Sequence, residues 1–274
     1  MKRFLQNRQA VFGAVIILTL ILLAIFAPLI TPYDPVFNQD YSAILKSPSA
    51  AHIMGTDDLG RDTFTRIVYG ARLTLLAALI PVSIALLVGV PIGLITGYVG
   101  GIWDQWIVMR VVDAMQAFPS LILALAMAAV LGGGFVNAMI AIGIGFLPAF
   151  IRVTRAQVLA VKNLDYIQSA RSTGARDTRI LLYHVLPNIA ATLLVQTTLA
   201  MATAIIAEAG LSYLGLGARP EQPSWGSMLN IAQGYLNTQP WLVVWPGLAI
   251  SLVVLGFNLL GDGLRRALDP KLKK

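Results

Sequence analysis

The sequence predicts an all-α membrane protein with six transmembrane helices and both termini on the cytoplasmic side. Three observations predict it. Of the 274 residues 57% are hydrophobic, only 12% are charged, and six uncharged runs are each long enough to cross a bilayer. A soluble domain carries about 25% charged residues, so half the charge of a water-facing shell is missing. Disorder is excluded by the same numbers, because disordered chains are poor in apolar residues and rich in charge.

A helix needs roughly 20 apolar residues to cross the hydrocarbon core. Residues 11–30 supply 20 without a charge. Lys2, Arg3 and Arg8 ahead of them would suit a signal peptide. The apolar run exceeds the ~7–15 residues of such a peptide and ends without a small-residue cleavage site, so a retained first helix is expected. Residues 73–101 are uncharged throughout, residues 114–131 give 18 and residues 135–151 give 17. Gly132-Gly133-Gly134 supplies a tight turn between the last two. Residues 189–207 give 19, and residues 241–261 give 21. Small residues such as Gly89, Gly93 and Gly143 suit close helix packing in lipid. Pro81, Pro91, Pro119, Pro148 and Pro246 are potential kinks.

Six spans put both termini on one side. If that side is the cytoplasm, inner segments hold 15 of the 20 Lys and Arg residues. Three precede the first span, Arg110 lies between the second and third, six lie between the fourth and fifth, and five follow the sixth. Lys46, Arg61, Arg66, Arg72 and Arg219 are outside. The positive-inside rule favours this orientation. The net charge of +7 then reflects basic loops beside anionic lipid, and no arginine-rich, aromatic-interleaved stretch points to nucleic acid. Cysteine is absent, which excludes disulfide and thiolate chemistry, and His52 and His184 are too far apart in sequence to suggest a metal cluster. The chain divides into residues 1–72, a first helix with a long outer segment, and residues 73–274, a five-helix core with a basic inner loop at 152–188.

From Lys162 that loop reads KNLDYIQSARSTGARDTRILLYHVLPN. Asn163 or Asp165 is expected to cap a short helix through Ser172. Gly174 sits where a left-handed residue would end it. Asp177 is expected to cap a second helix over 178–186, and Pro187 to start the return into the membrane. On helix signals alone, a rigid corner and a solvated loop near lipid headgroups both remain open.

The spacing resembles the "EAA" loop of permease subunits of bacterial ABC importers, which reads E-A-A, three residues, Gly, nine residues, I-x-L-P. Here the positions are Gln168-Ser169-Ala170, Arg171-Ser172-Thr173, Gly174, nine residues, then His184-Val185-Leu186-Pro187. Gln168, Ser169 and His184 depart from Glu, Ala and Ile, as in the peptide and nickel branch, and the lost carboxylate removes one potential salt bridge to an ATPase. Residues 52–72, 97–119, 208–229 and 258–270 are similar to further stretches of the shorter permease subunit of dipeptide, oligopeptide and nickel importers. The likeness runs in register over nearly the whole chain.

The resemblance implies a type I ABC importer permease in the bacterial inner (plasma) membrane. It implies transport of di- or oligopeptides, or of a nickel-chelate, glutathione or opine-type solute, by alternating access. The implied partners are a homologous second permease subunit, two cytoplasmic ATPase subunits, and a periplasmic or lipid-anchored binding protein, all in a lipid bilayer and without nucleic acid. ATP and Mg are expected on the ATPase subunits, with no cofactor, metal or catalytic residue in this chain. The coupling loop implied for docking the ATPase comprises Gln168, Ser169, Ala170, Arg171, Gly174, Ala175, Arg176, Asp177, Arg179, His184 and Pro187. A lever of that kind needs a sharp corner, small residues for close approach and a few charges for register, and these residue types supply each.

Outside, Asp57, Asp58, Gly60, Arg61, Asp62, Arg66 and Arg72 read as a wet surface of paired charges, or as a contact with the binding protein or an outer gate. Asp62 is expected to cap the helix leading into the second span. Gly210, Gly215, Gly217, Pro220 and Pro223, followed by Trp225, break helical periodicity and favour a re-entrant or gate-forming segment. Arg110 and Asp113 are expected to pair at i, i+3. Glu208 is expected at the outer boundary, capping or pairing at a subunit interface or meeting a peptide amine. Asp262 beside Arg265 and Arg266 is expected to be structural. No GxxxxGK[ST], GxSxG or HExxH occurs, so the common ATPase, hydrolase and metalloprotease signatures fail. The alternatives are an ion-coupled secondary transporter, for which neither inverted repeats nor mid-membrane charges are evident, and a membrane enzyme, for which no constellation assembles.

Overall fold

A computed structural model describes residues 7–31, 34 and 37–268 of the chain. Lys2, Arg3, Lys271, Lys273 and Lys274 of the charge count, and the Asp269-Pro270 ending, lie outside the described residues. The long helices are α1 (Arg8–Ile30), α2 (Thr63–Val99), α3 (Gly101–Gln116), α4 (Ser120–Leu131), α5 (Phe135–Val161), α7 (Asp177–Tyr213) and α9 (Trp241–Leu268). Two short helices join them: α6 (Asp165–Ser172) and α8 (Trp225–Ala232). Five helices are long and apolar enough to cross a membrane, and the bent pair α3–α4 is a sixth if it crosses as one broken span. No strand occurs among the described residues.

Two spans differ from the sequence expectation. The third is not one helix over 114–131, because α3 and α4 meet at 95° across residues 117–119. Pro119 lacks the N–H that Met115 O would accept, and its ring disfavours helical backbone at Phe118. The fifth does not begin after Pro187. Helix α7 runs unbroken from Asp177, with a π-turn at Ile180–Val185 just ahead of the proline. A second π-turn, Ala85–Gly89, precedes Pro91 in α2. In each, the wider hydrogen-bond register sits where the ladder is about to lose a donor.

Close packing is built on glycine. Gly89, Gly93 and Gly97 repeat at four-residue spacing along α2 and face Phe150, Thr154 and Val158 of α5. A Cβ at Gly93 would lie 2.6 Å from Thr154 Cβ. Helix α1 lies on α9 in the same way, with Gly13 against the Gly256 carbonyl. Alanines 124 and 128 of α4 and 138 and 141 of α5 share one core cluster with Ala204 and Leu211 of α7. Near the end of α1, Pro28 leaves the Ala24 carbonyl without its helical donor, and Arg72 Nε of α2 donates to it at 2.6 Å.

Gly93→Leu should lower the melting temperature of the purified complex, by overpacking of about 1–3 kcal/mol. Gly247→Ala, where an added Cβ meets nothing within 4 Å, should melt like the parent. Equal melting of both variants would contradict the α2–α5 contact.

Candidate functional site

At one end of the bundle, α6 and the start of α7 form a corner. Ile167 is fully buried against a core cluster that includes Tyr98, Val158, Ile180 and Val185. Thr173 caps α6, and Gly174 follows at φ +80°. Gly174 N–H donates to Arg171 O at 3.0 Å, and Ala175 N–H donates to Ala170 O at 3.1 Å. These two bonds are the pair of a Schellman motif, with Ala170 and Ala175 as its apolar contact. The left-handed corner is thus where the sequence puts it. The caps are not. Neither Asn163 nor Asp165 caps α6, whose cap residue is Leu164, and Asp177 occupies the first position of its helix. Asp165 and Asp177 complement the helix dipoles from inside the first turn instead.

The Asp177 carboxylate is engaged elsewhere. Tyr98 OH, at the end of α2, donates to Asp177 Oδ1 at 2.7 Å and accepts from Arg171 at 3.0 Å, and the Arg171 guanidinium lies 5.5 Å from the Tyr98 ring centre. Lys162 Nζ donates to Gly97 O at 3.0 Å. One tyrosine therefore joins α2, α6 and α7. Gln168, Ser169, Arg171, Gly174, Arg176, Asp177, Arg179 and Pro187 are exposed, while Ala170, Ala175 and His184 are half-buried. Leu182 and Tyr183 are exposed beside them at 56% and 73%, an apolar addition to the basic face. An added Cβ at Gly174 would meet nothing within 4 Å in this chain.

At the opposite end the charges are buried, contrary to the wet surface expected. Asp57, Arg61, Asp62 and Arg66 are 6%, 2%, 8% and 1% exposed. Asp57 Oδ2 accepts from Arg61 Nε at 2.7 Å and lies 3.7 Å from Arg66 Nε. Arg66 donates to the carbonyls of Pro220, Glu221 and Gln222, and Arg61 also reaches Pro220 O. The irregular 214–224 backbone supplies carbonyls that two arginines clasp, so these charges are structural. Asp62 caps α2 as expected, accepting from Thr65 N–H at 2.8 Å. Gly60, at φ +72°, presses against Asp40, and Gly215, at φ +80°, turns in open space. Burial, and then the neighbouring Asp57, pushes the Asp58 carboxyl up from its ordinary value.

Trp225 is buried, with Nε1 donating to Ile67 O at 3.0 Å. Glu208 lies inside α7 rather than beyond it, 3% exposed, accepting from Ser212 Oγ at 2.7 Å and Ser224 Oγ at 2.8 Å. Ser224 in turn caps α8. Glu208 therefore fastens α7 to α8. Arg110 does not pair with Asp113 either. Asp113 accepts from Arg152 of α5 at 2.6 Å, and Arg110 stacks 5.2 Å from the Trp106 ring centre. Asp262 is exposed, and no ion pair joins it to Arg265 or Arg266.

Residues 89–274, which include the whole corner, match the family model described as "Binding-protein-dependent transport system inner membrane component". The chain belongs to that family. The permease also matches, over residues 1–48, the "N-terminal TM domain of oligopeptide transport permease C". It is 47% identical over 272 residues to the dipeptide transport system permease protein DppC of Alkalihalophilus pseudofirmus, covering 99% of this chain and 89% of that protein. It is 44% identical over 272 residues to the glutathione transport system permease protein GsiD of Pectobacterium atrosepticum, covering 99% and 90%. Its fold matches a chain of the MetNI methionine ABC transporter, solved in inward-facing conformations, with TM-score 0.61 at 19% identity over 74% of this chain and 96% of that one. The permease is thus an inner-membrane transport subunit with the type I ABC importer fold.

Tyr98, Lys162 and Ile167 were not singled out from the sequence, although Tyr98 does stand as a polar tip at the end of an apolar run. Asp57→Asn should remove the carboxylate that two buried guanidiniums share, leaving Arg61 with Asp58 at 3.5 Å. We expect it to cost about 3–5 kcal/mol, read as a lower melting temperature of the permease complex. Asp113→Asn, in a half-exposed pair, should cost under about 1 kcal/mol. Equal effects would remove the distinction between clasp and surface pair.

Proposed function

We propose that the permease couples ATP hydrolysis on partner subunits to the inward movement of a peptide-like solute. The corner of α6 and α7 faces the cytoplasm, and both termini lie on that side, as the charge distribution favours. Two ATPase subunits, which bind ATP and Mg, seat on the exposed face of α6 and the first turns of α7. A homologous second permease subunit completes the pathway, and a periplasmic or lipid-anchored binding protein delivers the solute. The solute is a di- or oligopeptide or glutathione, after the relatives named for dipeptide and glutathione transport. Nickel-chelate and opine-type solutes belong to the same wider family.

The observation that carries this reading is the rigid corner at Gly174. Its two backbone bonds fix the angle between α6 and α7, and Tyr98 ties both to α2. A push on the exposed face is therefore transmitted to two long helices rather than absorbed by a loop. Closure of the ATPases would tilt these helices and open the pathway alternately to the two sides. The exposed apolar pair Leu182–Tyr183 adds the hydrophobic contact such a seat needs.

Gly174→Asp should insert and assemble normally in the reconstituted complex yet abolish ATP-driven dipeptide uptake. Gly174→Asn separates the causes. Asn tolerates the left-handed conformation, and a Cβ there meets no atom of this chain within 4 Å, so lost uptake in this variant points to a clash with the ATPase. Wild-type uptake by both variants, with ATPase stimulation intact, would exclude the lever. The ligand that raises the melting temperature of the cognate binding protein identifies the solute.

A further inference from the structure

We infer that the α3–α4 break is the stretch of this permease that touches the transported solute, and that it does so through uncharged hydrogen-bonding groups. The inference rests on the importer reading above. A groove of about 580 Å³ opens at the break, between the end of α3, the start of α4 and the middles of α5 and α7. It lies within the apolar runs but toward their inner ends, because residues 117–119 come early in the 114–131 run and Pro148 comes late in the 135–151 run. Non-helical backbone is tolerated at that depth only where protein buries it or a water-filled cavity meets it. Residues 117–119 are non-helical and exposed in this chain. Their groove must therefore be wet or filled by a partner.

The lining favours the wet case. Gln116, Ser120 and Gln196 line the groove, and their side chains make no hydrogen bond among the described residues. Free amides facing lipid or an apolar partner helix would be costly. No Asp, Glu, Lys, Arg or His lines the groove. A primary amide offers both a donor and an acceptor, the complement of a peptide group whatever side chain that group carries. Phe118, Phe146 and Phe150 supply apolar wall. A fixed charge would hold oppositely charged solutes and slow their release, and conduction needs binding weak enough to leave.

The chain contains no cysteine, so Gln196→Cys and Gln116→Cys each introduce its single thiol. In the assembled complex, with partner cysteines removed, both thiols should react with cationic and anionic methanethiosulfonates at rates within about tenfold of each other, since a fixed charge would separate them further. Labelling should lower ATP-driven uptake relative to the unlabelled variant. Leu87→Cys, on an exposed apolar flank of α2, should stay unlabelled. Thiols that react only in the isolated chain would mean that the second permease subunit fills the groove, which overturns the inference. A larger charge preference, or labelling without effect on uptake, overturns it equally. A wild-type complex without ATP-driven uptake would instead refute the importer reading, and the labelling pattern is read independently of it.

Discussion

Inside a bilayer every backbone polar group must find a partner, because no water is there to replace one. This constraint explains more of the permease than its hydrophobicity does. A proline within a span removes one donor, and at four of them, Pro28, Pro91, Pro119 and Pro187, the chain answers in three ways. At Pro28 a side chain from another helix, Arg72, takes over the orphaned Ala24 carbonyl and pins α1 to α2. Ahead of Pro91 and Pro187 the helix widens into a π-turn and continues. At Pro119 the helix breaks, and the open backbone faces a groove. The same residue type thus yields a staple, a continued helix and a candidate solute contact, according to what surrounds it.

The two ends of the bundle use charge in opposite ways. At the α8 end Asp57 lies between two buried guanidiniums, whose remaining donors hold the 220–222 carbonyls. A Gly- and Pro-rich segment, which alone would be loose, becomes a fixed piece of the core. Glu208 works beside it, linking α7 to the cap of α8 through two serines. At the α6 end the charges are largely exposed, and Ile167, Ile180 and Val185 anchor the corner together with Tyr98. Removing a partner from the first set strands a buried charge, whereas the second set remains free to meet another protein.

Five of the six expected spans were legible because they depend on uncharged run length alone. Gly174 and Asp62 were legible because a left-handed turn and an N-cap are local, set by residues within one turn. The misreadings share a cause. Arg110 and Asp113 satisfy the i, i+3 rule, yet Asp113 is taken by Arg152 from 39 residues away. Asp57, Arg61 and Arg66 look like a wet cluster, yet their partners include carbonyls more than 150 residues distant. Pro119 sits in an apolar run that composition reads as continuous. Periodicity and local chemistry are set within one turn of helix, while burial and pairing are set by which helices happen to pack.

Helix α7 links the proposed lever to the proposed solute contact. It carries Asp177 at the corner, Gln196 beside the groove and Glu208 at the far clasp. Its 37 residues make a rod about 55 Å long at 1.5 Å per residue. With its far end held through Glu208 and Ser224, a push at the corner would tilt it about that end in the proposed mechanism. The largest movement would then fall at the lever, with roughly two-fifths of it at Gln196, which lies 12 residues from Glu208 against 31 for Asp177, and least at the clasp. The other wall of the groove follows a different helix, since Arg155–Asp104 and Arg152–Asp113 bind α3 to α5. A tilt of α7 against α5 would, in that mechanism, change the width of the groove at the break.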